Sequence, residues 1–148
     1  MKIITPRIVI LHCAATPDFI EADLCFDKFN VYDVDRWHRE RGFQSCGYHW
    51  VVTRRGEIQA GRKCEADRVH EGAHCEGQNH HSIGICYIGM TTPTRYQIKS
   101  LQILFVLLNN MFNLTADKWY PHNHFNVNKS CPGFGLEAMK AMLTKEEK

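Results

Sequence analysis

Residues 68–89 read RVHEGAHCEGQNHHSIGICYIG, and how this stretch folds decides the architecture of the chain. If it is helical, His70 and His74 stand one turn apart around Glu71, the H-E-x-x-H arrangement in which two imidazoles reach one metal and the carboxylate polarises a water. If it is extended, a polar loop runs into a buried strand. The residues favour the second reading. Gly72 and Gly77 interrupt the window, and a glycine inside a helix costs about 1 kcal/mol relative to alanine. No apolar stripe at helical spacing surrounds the histidines, whereas Ser82–Ile88 is a compact apolar run closed by Gly89. A loop followed by a strand is expected.

The flanking segments extend this pattern. Arg7–His12 (RIVILH) is rich in β-branched residues and predicts a buried central strand ending at His12, with a polar loop at Thr16-Pro17-Asp18 after it. Met1 to Leu11 as a whole reads as an apolar strand interrupted by Lys2, Pro6 and Arg7. Val34, Trp37 and His38 recur at helical spacing before Gly42, predicting a short helix over 33–41 in which His38 forms the polar edge. Tyr48–Thr53 and Ile58–Gly61 flank the turn Arg54-Arg55-Gly56-Glu57 as a hairpin. Apolar residues at 98, 101, 104, 105, 108 and 112 predict one long amphipathic helix over 94–113. Lys118–His122 reads as a short strand and Leu136–Thr144 as a closing helix. Strands alternating with helices predict an α/β fold, a single domain over 1–148 with a central mixed β-sheet flanked by helices. Trp37, Trp50, Phe105 and Leu108 are expected in the core.

Composition narrows the function classes. The 148 residues suffice for one hydrophobic core, and the net charge of +2 is dispersed, Arg54-Arg55 being the longest basic cluster, so no nucleic-acid footprint is expected. The apolar run 101–108 is far short of the ~20 residues that cross a bilayer, and the N-terminus lacks the regions of a signal peptide. A soluble protein, cytoplasmic at synthesis and without membrane insertion, is expected. Seven cysteines, an odd number with no C-x-x-C pair, argue against a zinc ribbon and a complete disulfide framework; Cys25, Cys46, Cys64 and Cys86 have no evident partner.

Four motifs together carry more. His12 closes the first strand in Ile10-Leu11-His12-Cys13-Ala14-Ala15-Thr16; Gly47-Tyr48-His49-Trp50 opens the hairpin; Gly72-Ala73-His74, Gly77, Asn79 and Ser82-Ile83-Gly84-Ile85 span the deciding stretch; His122-Asn123-His124-Phe125 precedes Lys129-Ser130-Cys131-Pro132-Gly133-Phe134. In this order they resemble the motifs of the type-2 N-acetylmuramoyl-L-alanine amidases, the family shared by small phage lysozymes of amidase type and the peptidoglycan recognition proteins. The resemblance spans about residues 7–136. Chemically, two imidazoles and a thiolate form a donor set that zinc accepts with one position left for water.

The resemblance implies one zinc ion held by His12, His122 and Cys131, with Tyr48 and Lys129 as catalytic residues beside it and His74, Asn79 and His81 along the substrate groove. The family's familiar histidine-to-cysteine spacing is one residue shorter than His122 to Cys131 and one longer than His124 to Cys131. His122 is favoured because it follows the strand and has Phe125 three positions on, and His124 is the alternative. The implied activity is hydrolysis of the amide between the lactyl group of N-acetylmuramic acid and L-alanine in bacterial peptidoglycan, by a monomeric phage- or prophage-type lysin that reaches the wall after release or export. Two rivals stand beside it. A non-catalytic peptidoglycan-binding module would have lost the cysteine, which is present here as Cys131, and a zinc protease of the H-E-x-x-H type would depend on Glu71.

Overall fold

A computed structural model of the chain describes residues 1–18 and 28–145; Cys25 lies outside the described residues. The strand expected at the N-terminus divides into β1 (Ile3–Ile4) and β2 (Ile8–Cys13). After helix α1 (Val31–Glu40) come β3 (Trp50–Val52) and β4 (Ile58–Ala60), then the short β5 (Cys64–Glu65) and β6 (Arg68–His70). The second half holds β7 (Ser82–Tyr87), helix α2 (Arg95–Phe112), β8 (Trp119–Pro121) and helix α3 (Leu136–Thr144). Five strands form the main sheet in the order β4-β3-β7-β2-β8, with β4 antiparallel at one edge and the other pairings parallel. The sheet is mixed, as expected.

The helix ends follow their capping residues. Tyr32 N–H donates to the Asn30 side chain at 2.9 Å and Asn30 N–H to Asp33 at 2.9 Å, which starts α1 two residues earlier than its apolar spacing predicts. Gly42, at φ 94°, stops it. Thr94 and Gln97 form the same reciprocal cap on α2, and Asn113 ends it in the left-handed conformation.

β2 and β7 occupy the centre, and alternation along each sends successive side chains to opposite faces. Val9, Leu11 and Cys13 of β2 join Ile83, Ile85 and Tyr87 of β7 under Leu101, Leu104 and Leu108 of α2 and Met139 and Leu143 of α3, forming the larger core. The opposite face packs Val51, Cys86 and Ile88 under Val31 and Val34 of α1. Trp50 and Phe105 pack at the margin of the first cluster, Leu108 is fully buried within it, and Trp37 borders the second.

Residues 71–81 contain no α-helix: His70 ends β6, turns follow, and a single turn of 3-10 helix over Asn79–His81 leads into β7. The sequence did not predict the small antiparallel sheet β1-β6-β5, which pairs Ile3 with His70 and Cys64 with Val69.

Candidate metal centre

Strand register builds the site. Leu11 of β2 pairs with Pro121 of β8, so the next residue on each chain, His12 and His122, emerges side by side at the carboxyl ends of two parallel strands, where open α/β sheets place their ligands. The loop carrying Cys131 is drawn to the same point. Asn123 N–H donates to the Cys131 carbonyl at 2.9 Å, and the Asn123 amide to the Phe134 carbonyl at 2.9 Å. The buried Tyr87 hydroxyl donates to the Pro132 carbonyl at 2.5 Å.

The result is a compact donor set. Nitrogens of His12 and His122 and the Cys131 sulfur all lie within 4.8 Å of one another, and the Nδ1 atoms of the two histidines are 3.2 Å apart. Among the described residues this group alone brings three such ligands together. Cys13 N–H donates to Cys131 Sγ at 3.1 Å, a contact that would favour a thiolate there once a cation is bound, although the Cys13 thiol and burial push the Cys131 pKa up in its absence. Burial, reinforced by the imidazoles of His74, His122 and His38, pulls the His12 pKa well down. Burial and the Lys129 ammonium do the same to His122. Neutral imidazoles are the form that binds a cation, and two nitrogens with a sulfur match the ligand chemistry of zinc. The contact between the two thiols lowers the pKa of Cys13 against the effect of its burial.

Around the donors lies a groove of about 580 Å³, lined by Trp37, His38, Arg41, Tyr48, His74 and Lys129 with the ligand residues. A second recess of about 600 Å³ shares Arg41, His74, His122 and Lys129 with it and adds Asn79. The Tyr48 ring sits 5.0 Å from that of His12, and burial keeps its phenol protonated by raising its pKa. Lys129 is exposed at the rim. A larger concavity of about 830 Å³ runs along the outer side of α2 from Lys99 to Met111, but it contains no histidine, cysteine or carboxylate and is remote from this chemistry.

The choice between two histidines is visible here. His124 is exposed and packs against Tyr120 and Phe125 at 4.7 and 5.0 Å, while His122 faces His12. His74 and Asn79 reach the recess, although the Asn79 side chain is already engaged by the N–H groups of His74 and Cys75, both at 2.9 Å. His81, expected in the groove, is placed elsewhere: it bonds Gln78 at 2.7 Å and stacks on His80. The 3-10 turn before β7 points it away. His38, expected at a polar helix edge, is buried at 6% exposure, accepts the Gly47 N–H at 2.7 Å and packs 5.3 Å from the Tyr48 ring. Its three-residue spacing from Asp35 and Arg41 concealed this, because a buried histidine and a surface one look alike on a short helix.

This is an α/β domain with a His–His–Cys centre of metal-binding type in an open groove at the strand ends. Comparison with known proteins then gives the family. The sequence pattern described as N-acetylmuramoyl-L-alanine amidase matches residues 4–134. The endolysin of Enterobacteria phage T3 is 30% identical over 141 residues, covering 90% of this chain and 84% of that protein. The endolysin of Escherichia phage T7 is 30% identical over 137 residues, with 87% and 82% covered. In fold, the chain superposes on the N-acetylmuramoyl-L-alanine amidase LysC of Clostridium intestinale with a TM-score of 0.77 at 24% identity, covering 99% of this chain and 92% of that one. The chain belongs to the N-acetylmuramoyl-L-alanine amidase family, and its activity is that of a peptidoglycan amidase.

Proposed function

We propose that residues 1–148 form one zinc amidase domain that hydrolyses the lactyl–L-alanine amide of bacterial peptidoglycan, with a single zinc ion held by His12, His122 and Cys131. The observation that carries this reading is the convergence of those three donors within 4.8 Å, in a groove that also presents Tyr48 and Lys129. When bound, zinc lowers the pKa of water towards ~7 and polarises a carbonyl. The protein's own groups supply the rest. An amide carbonyl under attack gathers negative charge on oxygen, and donors aimed at that oxygen contribute about 3–4 kcal/mol each. The Tyr48 phenol, kept protonated by burial, and the Lys129 ammonium at the groove rim are the donors in reach. One of them would give its proton to the departing L-alanine nitrogen as the C–N bond breaks and regain one from the attacking water, so that it ends as it began. His74 and Asn79 shape the recess that receives the substrate.

Every one of these groups belongs to one chain, which supports a monomer. No helix among the described residues is long and apolar enough to cross a membrane. The endolysin relatives support a lytic role at the cell wall, reached after release or export from the cytoplasm.

The direct test quantifies bound zinc and follows peptide release from purified peptidoglycan with and without a chelator. One equivalent of zinc, and chelator-sensitive release of peptides bearing a free L-alanine amine, is the expected result. Peptidoglycan binding without zinc or product would reassign the chain as a recognition module.

A further inference from the structure

His12 turns Nδ1 towards His122, 3.2 Å from its Nδ1, and its other nitrogen is already taken. Nε2 lies 2.8 Å from Nδ1 of His74, whose own Nε2 lies 3.2 Å from the Ser82 hydroxyl, and that hydroxyl donates to the Gln78 carbonyl at 2.7 Å. A hydroxyl has one hydrogen, and that of Ser82 is committed to a carbonyl, which has none to give. Ser82 Oγ therefore receives a hydrogen from His74 Nε2. A neutral imidazole carries one N–H, so His74 Nδ1 is left with its lone pair and accepts from His12 Nε2. His12 Nδ1 is then the unprotonated nitrogen, turned towards His122 and Cys131.

We propose that His74 is a positioning residue which, held by Ser82 and the Gln78 carbonyl, fixes His12 in the one tautomer able to bind metal through Nδ1. Metal-ligating histidines ordinarily donate their second N–H to a carboxylate, a carbonyl or water. Here the carbonyl is reached through two intervening side chains. The surroundings are built for this ring. A side-chain carbon on Gly84 would fall 2.6 Å from His74 Cγ, so only glycine lets the imidazole lie against β7 between His12 and Ser82. Asn79 Oδ1 accepts the N–H groups of His74 and Cys75, fixing the backbone from which the ring projects. The spaced residues His74, Asn79, Ser82 and Gly84 thus share a role, the orientation of a ligand residue that the others reach only through His74.

This inference rests on the metal reading above, and its test separates the two. In the zinc-free wild type, long-range ¹H–¹⁵N correlation spectra should show His12 protonated at Nε2 alone. Ser82→Ala, which removes an atom remote from the metal, should leave a folded protein in which His12 populates both tautomers and zinc binds more weakly, by about ten-fold in a chelator competition, as loss of a ligand's supporting partner does. His74→Leu should cost more, and His74→Gln, whose amide oxygen can accept from His12 Nε2, should recover part of the loss. A wild type that binds zinc with His12 protonated at Nδ1 before metal is added, or variants that match wild-type affinity, would overturn the positioning role. A folded wild type that binds no zinc would overturn the metal reading, and the positioning role with it.

Discussion

The two faces of strands β2 and β7 both bury apolar residues, but only one of them also carries the polar groups of the groove. Towards α2 and α3, Val9, Leu11, Ile83 and Ile85 are fully buried in an apolar core. On the other face Ile10 and Cys86 are buried too, and beside them stand His12, Ser82 and Gly84, joined by the imidazole of His74. One face is held by area removed from water, at roughly 25 cal/mol per Å² of apolar surface. The other adds to a smaller apolar cluster a set of directional hydrogen bonds between neutral polar groups. Substitutions on the two faces should therefore fail differently.

The largest effect is expected from Cys131→Ser. It should abolish zinc binding and lower peptide release by a factor on the order of 10⁴ or more, comparable with losing a member of a catalytic set, while the zinc-free protein unfolds at nearly the wild-type denaturant concentration. Zinc quantitation, product release and a denaturant titration on the same preparation check it. An active serine variant would mean that the groove face does not act through this cluster.

Leu108→Ala tests the apolar face. Leu108 is fully buried in the larger core, and its truncation should cost about 2–5 kcal/mol of folding stability. Zinc affinity of the folded fraction should stay at the wild-type level. Comparable losses of stability and zinc affinity would show that the faces are coupled through the strands rather than separable.

A subtler prediction concerns His49, buried on the groove side, where Gly84 N–H donates to its Nδ1 at 2.9 Å and its Nε2 meets the His70 carbonyl at 2.6 Å. Burial, which outweighs the His70 carbonyl, lowers its pKa to about 4, below the ~6.5 of an unfolded histidine. The unfolded chain thus takes up the proton first as pH falls. Its contribution is complete above ~6.5 and is lost between ~6.5 and about 4, amounting to on the order of 3 kcal/mol at the acid end. Denaturant midpoints measured from pH 7 to 4.5 should fall, and His49→Gln should flatten the slope. An unchanged slope would assign the acid sensitivity to other groups.

Much of this division was legible in the sequence. The apolar runs 7–12 and 82–88 located the central strands, and the apolar spacing of 98–112 located α2, because burial on one face imposes a period that a single sequence displays. The motif order located the candidate ligands. What was not legible depended on contacts between distant segments. Strands β5 and β6, of two and three residues, are too short to show a period, and β6 pairs with a β1 that lies far from it in sequence, Ile3 opposite His70. His122 and His124 differ by two positions, and only the register of β8 against β2 turns one inward. The same holds for His81, which the 3-10 turn directs to Gln78, and for His38, whose burial depends on the Gly47 N–H reaching it.

The smallest effect is expected from Glu71→Gln, in the His70-Glu71-Gly72-Ala73-His74 stretch. Glu71 follows β6 in a loop, its backbone N–H bonded to the Lys2 carbonyl and its own carbonyl accepting from Arg62, both outside the groove lining. Without a helix, His70 and His74 do not share a face around it; His70 offers its carbonyl to His49 while His74 turns to His12. The change should alter stability by no more than about 0.5 kcal/mol and leave peptide release at the wild-type rate. A variant that keeps its zinc but no longer releases peptide would move the reacting water from the His12 side of the groove to the Glu71 side. Such a result would break the separation of faces at the point where it is most exposed, because Glu71 belongs to neither.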